Sequence, residues 1–200
     1  MKSMVFIDYQ NFDISLRKYL SLQEETFFNI NYSKLSMLLN SKIKLNTTMM
    51  KTFLFAYKPC ETLMKIPHYE GYYNWLSGMK SKSLFEVVEG TQEIRQVSKC
   101  IPIDINNPST YTTEEKGTDI NLAVNMLSKG YQNAYDVAVL VSGDTDYIPV
   151  VRELHHLGKI VVLATFPNQN VSKYDEYKDA HIKMDLKLLK QCEIKKNQSK

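Results

Sequence analysis

The chain has 200 residues, of which 44% are hydrophobic and 24% charged, with a formal net charge of +3. This composition is that of a globular domain with a sizeable core, and it excludes a disulfide-stapled miniprotein and a disordered chain. No run approaches about 18 consecutive apolar residues, and Asp8 interrupts the apolar start, so we expect neither a membrane span nor a signal peptide. The three cysteines favour neither a disulfide framework nor a zinc site, and we expect a cytoplasmic protein.

The charges are distributed unevenly along the chain. Residues 183–200 hold six lysines and two acids, whereas residues 1–182 hold 19 basic and 20 acidic side chains. We therefore expect a folded domain over residues 1–186 and a basic tail over residues 187–200. The tail either contacts phosphate groups through salt-dependent attraction or is a solvated, frayed end.

Short β-branched or aromatic runs predict strands, and apolar residues at helical spacing predict helices. In chain order these patterns give a strand at residues 4–7, a helix around Leu35, a strand at residues 52–57, a helix around Tyr72, weaker strands at residues 85–88 and 100–105, a helix at residues 119–129, a strand at residues 137–141, a helix at residues 148–157 and a strand at residues 160–164. The alternation of the two element types predicts an α/β sandwich.

The clearest unit runs from the strand at residues 137–141 through the segment SGDTD and a helix to the strand at residues 160–164. Both strands are apolar at consecutive positions, which is typical of parallel strands covered on two faces. Pro149 is compatible with the helix if Thr145 or Asp146 is the N-cap, because the first helical turn does not need its missing N–H. The unit is therefore a βαβ unit with two acidic residues directly after its first strand.

Four aspartates are expected at one edge of the sheet. Asp8 directly follows the first strand, and Asp144 and Asp146 follow the first strand of the βαβ unit. Asp119 begins the helix that leads into that same strand. A helix that precedes a parallel strand begins at the edge of the sheet where the strand ends, so Asp119 is expected at this edge as well. Ligands bind at this edge in open α/β sheets, which makes the four carboxylates candidate site residues.

Carboxylates that converge in this way repel one another and call for a cation. A pair about 4 Å apart costs on the order of 4 kcal/mol at an effective dielectric of about 20. The loops that hold Asp8 and Asp144 contain no lysine or arginine, although Lys116 stands three residues before Asp119. A set of hard oxygen donors without cysteine or histidine predicts Mg²⁺ or Mn²⁺ as the cofactor. Such a metal ion supports phosphodiester chemistry.

Each aspartate also has a purely structural interpretation. Asp144 or Asp146 caps the helix that follows, and Asp119 interacts with the dipole of its own helix. Asp8 is harder to explain in this way, because an aspartate that ends a buried strand needs partners to offset its desolvation. The functional interpretation therefore depends on the four residues meeting, and not on any one of them.

The segments FIDYQN at residues 6–11, KGTD at residues 116–119, VLVSGDTDY at residues 139–147 and GKIVV at residues 158–162 resemble the NYN domain family, within the PIN-like nuclease superfamily. The resemblance covers roughly residues 4–186 and implies a PIN-like three-layer α/β/α sandwich with a mainly parallel central sheet. It also implies metal-dependent RNA cleavage that leaves 5′-phosphate and 3′-hydroxyl ends. Metal-binding and catalytic roles follow by resemblance for Asp8, Asp119, Asp144 and Asp146, and contacts with metal waters, phosphate or the RNA backbone for Asn11, Ser142 and Lys116.

The chain departs from the family pattern at two positions. Tyr9 stands where the family usually has glycine, so its ring is expected to narrow the approach to Asp8. His181 stands where an aspartate is often found near the end of the domain. Some members of the superfamily have a further acid in the middle of the chain. Glu86 and Glu89 are the candidates, although alternation along a strand allows them equally to face solvent.

Residues 67–82 combine four aromatic residues with Lys80 and Lys82. The aromatic rings either stack on single-stranded bases while the lysines hold phosphates, or they pack in the core or against another subunit. Their spacing is compatible with a helix, which favours packing. A homo-oligomer therefore remains open.

These observations favour a single-strand-specific, metal-dependent ribonuclease whose partner is RNA. The alternative is a catalytically weak or inactive RNA-binding or regulatory module that keeps the acidic metal pocket, and His181 and Tyr9 motivate it. An aspartyl phosphatase is disfavoured because Asp8 does not begin a D-x-D motif, and a dinucleotide enzyme because no G-x-G-x-x-G follows a strand.

Overall fold

The computed structural model describes residues 1–195 and contains one seven-stranded sheet. The strands are β1 Lys2–Asp8, β2 Thr48–Pro59, β3 Phe85–Gln96, β4 Tyr111–Lys116, β5 Val137–Val141, β6 Ile160–Thr165 and β7 Ala180–Lys183. They lie in the order β4-β3-β2-β1-β5-β6-β7. Only β4 runs antiparallel to its neighbour, β3. The predicted mainly parallel sheet is confirmed.

Helices cover both faces of this sheet. They are α1 Tyr9–Leu22, α2 Tyr32–Ser41, α3 Pro67–Lys80, α4 Thr118–Tyr131, α5 Ile148–His156 and α6 Leu186–Gln191. Apolar side chains of α1, α2, α3 and α6 pack on one face, and those of α4 and α5 pack on the other. The three-layer α/β/α sandwich is therefore confirmed.

Alternation along β1 decides which layer each side chain meets. Val5 and Ile7 point into the core beneath α1 and α2, whereas Phe6 points into the core beneath α4 and α5. By the same alternation Asp8 points toward the α4 and α5 layer. Tyr9 begins α1, so it belongs to the opposite layer.

Most of the predicted elements are present; β5 has the predicted bounds, α5 ends one residue earlier than predicted, and the other predicted strands and α4 are longer. The strand predicted at residues 100–105 is wrong, because these residues form turns and extended chain between β3 and β4. Pro102 offers no N–H for a sheet ladder, and Ile101 and Ile103 are 41% and 37% exposed, so neither contributes a core face. The edge strand β4, the short β7 and the helix α1 were not predicted.

The start of α5 also differs from the prediction. Asp144, and neither Thr145 nor Asp146, caps this region, and it caps a single 3-10 turn at Thr145–Tyr147 that leads into α5. Pro149 lies in the first turn of α5, as predicted.

The chain beyond residue 186 packs against the domain as far as the structure describes it. Leu188, Leu189 and Cys192 are buried, and Ile30 forms an isolated bridge with Glu193. Of the residues predicted to form the basic tail, 196–200 lie outside the described residues. Within residues 1–195, no helix combines the length and the apolar character needed to cross a bilayer.

Candidate active site

Asp8 is the most deeply buried carboxylate of the candidate site, with a side chain that is only 3% exposed. Its Oδ1 accepts a hydrogen bond from the backbone N–H of Asn11 at 3.1 Å and thereby caps α1. Its Oδ2 accepts from the Ser142 hydroxyl at 3.0 Å, and the Tyr147 hydroxyl, whose one proton is shared with Asp119, lies 3.3 Å from the same oxygen. The capping role and the role in the site are therefore divided between the two oxygens.

Asp119 lies in the first turn of α4 and meets Asp8 through one hydroxyl group. The Tyr147 hydroxyl donates to Asp119 Oδ1 at 2.9 Å and lies 3.3 Å from Asp8 Oδ2. The two carboxylate oxygens can be no farther apart than the sum of these distances. The structure thus brings together two aspartates that are 111 positions apart in the sequence.

Asp144 is joined to Asp8 through Ser142, which directly follows β5. The backbone N–H of Asp144 donates to Ser142 Oγ at 3.1 Å, and that hydroxyl donates to Asp8. Asp144 Oδ1 accepts from the N–H of Asp146 at 3.0 Å, so the structural interpretation as a cap holds for this oxygen. Asp146 itself is exposed at the rim. We call the group of four carboxylates the carboxylate edge; its members are Asp8, Asp119, Asp144 and Glu115 of β4, which is described below.

Asn11 links α1 to the loop after β5. Its Oδ1 accepts from the N–H of Gly143 at 3.1 Å and from Nε2 of Gln169 at 3.2 Å. Gln169 also donates to Ser15 Oγ at 2.9 Å. A Cβ on Gly143 would lie 2.4 Å from Gln169 Nε2, so any larger residue there would displace the Gln169 side chain. Sequence reasoning missed Gln169, which lies in a loop without any motif.

Two tyrosines that sequence reasoning left without a role also fix the site. Tyr147 is 2% exposed, and burial, together with the charges of Asp8 and Asp119, raises its pKa far above the usual value. It therefore stays a hydrogen-bond donor. Tyr174 is fully buried and its hydroxyl donates to the backbone carbonyl of Asp144.

The pKa of Asp8 is raised from 3.8 to about 6, mainly because the carboxyl is buried. The charge of Asp119 raises it further, while the hydrogen bonds from Asn11, Ser142 and Tyr147 lower it. A buried carboxylate whose pKa is raised gains more free energy from a nearby cation than an exposed carboxylate does.

Glu115 is the further acid of the site, and sequence reasoning did not find it. Burial raises its pKa to about 6, a hydrogen bond with Thr118 lowers it, and the charges of Asp8 and Asp119 add smaller upward contributions. The two predicted candidates are engaged elsewhere, since Glu86 pairs with Lys51 at 2.7 Å and Glu89 pairs with Lys80 at 2.9 Å. Because β4 was not predicted from the sequence, no pattern pointed to Glu115.

Two glycines allow the chain to turn from β4 into α4 at this point. Gly117 adopts a φ of 83°, a left-handed conformation that other residues rarely take. A Cβ on Gly90 of β3 would lie 2.3 Å from Thr118 Oγ1 and 2.6 Å from the carbonyl oxygen of Lys116. The close approach of β3 therefore positions Glu115 and Asp119.

The remaining predicted residues lie around the site. Lys116 Nζ pairs with Glu93 at 3.1 Å on the exposed side of β4. Nε2 of His181 lies 2.8 Å from Thr165 Oγ1, at the end of β6. The ring of Tyr9 packs against those of Tyr72 and Trp75, so it forms part of a neighbouring cleft.

The donor set matches the ligands that a hard divalent cation takes. It consists of carboxylate oxygens, and burial raises the pKa of two of these groups, Asp8 and Glu115. Within residues 1–195, no three acidic, histidine or cysteine side chains are already grouped as metal ligands. The donors fit Mg²⁺ or Mn²⁺ in chemical type, with the Tyr147 hydroxyl lying between Asp8 and Asp119.

Comparisons with known proteins agree with this architecture. The sequence model of the NYN domain family matches residues 2–185. The fold is similar to that of a protein of unknown function from Vibrio parahaemolyticus, with a TM-score of 0.55, 15% identity, and coverage of 92% of this chain and 93% of that one. No curated protein matches the chain. The structural likeness shows the fold alone, and the family match covers nearly the whole chain.

Proposed function

The chain belongs to the NYN domain family of PIN-like nucleases, and we propose that it is a divalent-metal-dependent ribonuclease that cleaves single-stranded RNA. The observation that supports this most is the meeting of Asp8 and Asp119 at one hydroxyl, at the carboxyl ends of β1 and β5. Glu115 is half-buried, and its pKa is raised by burial and by the charges of Asp8 and Asp119. Three free cysteines agree with a reducing cytoplasm as the site of action.

Mg²⁺ or Mn²⁺ is the proposed cofactor. Asp8, Asp119 and Asp144 would hold it, with Asp146 and Glu115 assisting directly or through water. When bound, such an ion neutralises charge on the phosphoryl group and lowers the pKa of an attacking water. Cleavage of this kind would leave 5′-phosphate and 3′-hydroxyl ends.

The other residues of the site orient this machinery. Ser142 fixes Asp8 against Asp144 with two hydrogen bonds on one hydroxyl. Asn11 holds the loop after β5 to the start of α1, which keeps both carboxylates on rigid elements. Lys116 lies next to this edge and would attract the RNA backbone, in exchange with its partner Glu93.

The proposal is tested with Asp144→Asn. This change keeps the oxygen that accepts from Asp146 and removes the negative charge, so manganese-dependent cleavage of labelled single-stranded RNA should be lost while the circular dichroism spectrum is unchanged. Asp185→Asn is the matched control, because Asp185 caps α6 in the same way and accepts from the N–H of Leu188 at 2.8 Å. Full activity in Asp144→Asn would remove the assignment, and equal loss in both variants would show that the loss is not specific to the carboxylate edge.

A second function is an RNA-binding module that holds a metal without turnover. It is favoured by His181, which lies on β7 in place of the family's aspartate and pairs with Thr165. Calorimetry with manganese, together with the cleavage assay, separates the two functions. Manganese binding and RNA binding without any product would favour the module.

A further inference from the structure

A cleft of about 640 Å³ lies between α1, α3 and the loop that joins α1 to α2. Five tyrosines and one tryptophan line it beside Phe27, and we call this space the aromatic cleft: Tyr9, Tyr32, Tyr57, Tyr69, Tyr72 and Trp75. Its volume falls in the range of small-molecule sites, about 300–1,000 Å³, which are also lined mainly by apolar and aromatic groups. The cleft is large enough for a nucleobase with its sugar.

The rings of the aromatic cleft are fixed by one another. The ring centroids of Tyr9 and Trp75 are 5.1 Å apart, and those of Tyr57 and Tyr72 are 4.7 Å apart. The Tyr72 hydroxyl donates to the backbone carbonyl of Tyr57 at 3.0 Å. The walls are therefore preformed, which reduces the entropy lost when a planar ligand enters.

The aromatic cleft and the carboxylate edge lie at the same end of the sheet, near the carboxyl ends of β1 and β2. Tyr9 directly follows Asp8 in the chain, at the point where β1 ends and α1 begins. Asp8 pairs with Phe55 of β2, and Tyr57, two residues further along that strand, lines the cleft. An RNA strand with a phosphate at the carboxylates would therefore have a base within reach of the cleft.

Cations stand at the outer side of the cleft. The Arg17 guanidinium lies 4.2 Å from the ring centroid of Phe27, and both residues line the cleft. A second cavity of about 320 Å³ shares Tyr32 and Trp75 with it and extends to Lys82. Arg17 is paired with Asp13, which also lines the cleft, so its charge is partly neutralised there.

We propose that the aromatic cleft binds unpaired nucleobases of an RNA strand next to the phosphate that is cut. This inference rests on the proposed function and deepens it, because base binding in the cleft would select single-stranded RNA. Aromatic faces stack on any base, and cations beside them hold the backbone. In a duplex the faces of the bases are covered by their neighbours, so only an unpaired base can stack on the exposed faces of these rings.

The chain supplies its own probe, since Trp75 is its single tryptophan and lines the cleft. In EDTA, the full chain is titrated with an oligouridylate of roughly ten nucleotides, and with the same strand annealed to its complement. We expect saturable quenching of Trp75 fluorescence by the single strand and binding at least about tenfold weaker for the duplex. Binding of the labelled single strand without quenching, or equal quenching by the duplex, would overturn the proposal.

A variant at the half-buried rim tests the same point. Tyr69→Ala removes one stacking face and should weaken binding of the single strand about tenfold. Tyr131→Ala is the matched control, because Tyr131 is 58% exposed on α4, outside the cleft, and its loss should leave binding unchanged. Melting curves of both variants show that they fold. Equal binding by Tyr69→Ala and the parent chain would contradict the proposal.

The outcome is distinguishable from that of the nuclease proposal because EDTA removes any need for metal or cleavage. Quenching of Trp75 by single strands without RNA cleavage in manganese would support base binding in the aromatic cleft and contradict the nuclease proposal. Cleavage combined with no quenching keeps the nuclease and rejects the cleft.

Discussion

Asp8 and Tyr9 are neighbours in the chain, yet they belong to two regions with opposite physical character. Asp8 points toward α4 and α5 into a small polar site in which one hydroxyl serves two carboxylates. Tyr9 points toward α3 into the aromatic cleft, where rings line about 640 Å³. A single step from strand to helix thus separates charge chemistry from the recognition of flat apolar groups.

The two regions should respond to different ligands. At the carboxylate edge, burial and mutual repulsion make the ionised state costly, as the raised pKa of Asp8 and of Glu115 shows. A cation relieves that cost. In the aromatic cleft the dominant contribution is stacking and burial of apolar area, which a metal ion does not provide. Variants should therefore separate the two regions.

The largest effect is expected for Asp119→Asn. Removing this carboxylate should lower kcat for manganese-dependent RNA cleavage at least about 100-fold, because a donor to the metal is lost. Tyr69→Ala should instead raise KM more than it lowers kcat. Steady-state kinetics on labelled single-stranded RNA measure both. If both variants changed kcat and KM in the same proportion, the division between the regions would be wrong.

The pH dependence of stability tests the cost of burying Asp8. Because its pKa is about 6 in the folded chain and 3.8 when unperturbed, the folded state holds the proton more tightly. The free energy of unfolding should therefore fall as the pH rises from about 4 to about 6, by about 2–3 kcal/mol from this group, and change little above that. Urea unfolding in EDTA measures this, and Asp8→Asn should flatten the slope. Identical slopes in the two proteins would contradict the burial argument.

Gly90→Ala should disturb the carboxylate edge from a distance. The new methyl group would press on Thr118 and the backbone of Lys116, so we expect a loss of about 2 kcal/mol in unfolding free energy and a smaller manganese-induced rise in Tm. Gly78→Ala is the control, since its methyl group meets no atom within 4 Å and should stabilise α3 by up to about 1 kcal/mol. An unchanged manganese response in Gly90→Ala would show that β3 does not position Asp119.

The smallest effect is expected for Tyr147→Phe. Loss of the shared hydroxyl should cost about 1 kcal/mol in EDTA and increase the rise in Tm on adding manganese, because the carboxylates lose their donor. Tyr135→Phe removes a comparable buried hydroxyl, which donates to the Met126 carbonyl at 2.7 Å, and should cost the same without changing the manganese response. Equal manganese responses in both variants would argue against a shared role of Tyr147.

The fold and the meeting of Asp8 with Asp119 were predictable from chain direction, since parallel strands and the helices between them fix which residues reach one edge. Glu115 was not, because β4 is an exposed polar edge strand without the apolar alternation that identifies strands. Gln169 and Tyr174 act through loop geometry, which depends on tertiary contacts. Tyr9 was expected to narrow the approach to Asp8, but helix geometry turns its ring into the aromatic cleft instead.

The central claim is that acidic side chains from distant parts of the chain form one cation site. Diffraction at the manganese absorption edge from crystals soaked in Mn²⁺ tests it most directly. The account predicts an anomalous peak within coordination distance of the Asp8 and Asp119 carboxylates, with the Tyr147 hydroxyl displaced from between them. A fully occupied manganese peak elsewhere, with Tyr147 still bonded to both aspartates, would contradict it.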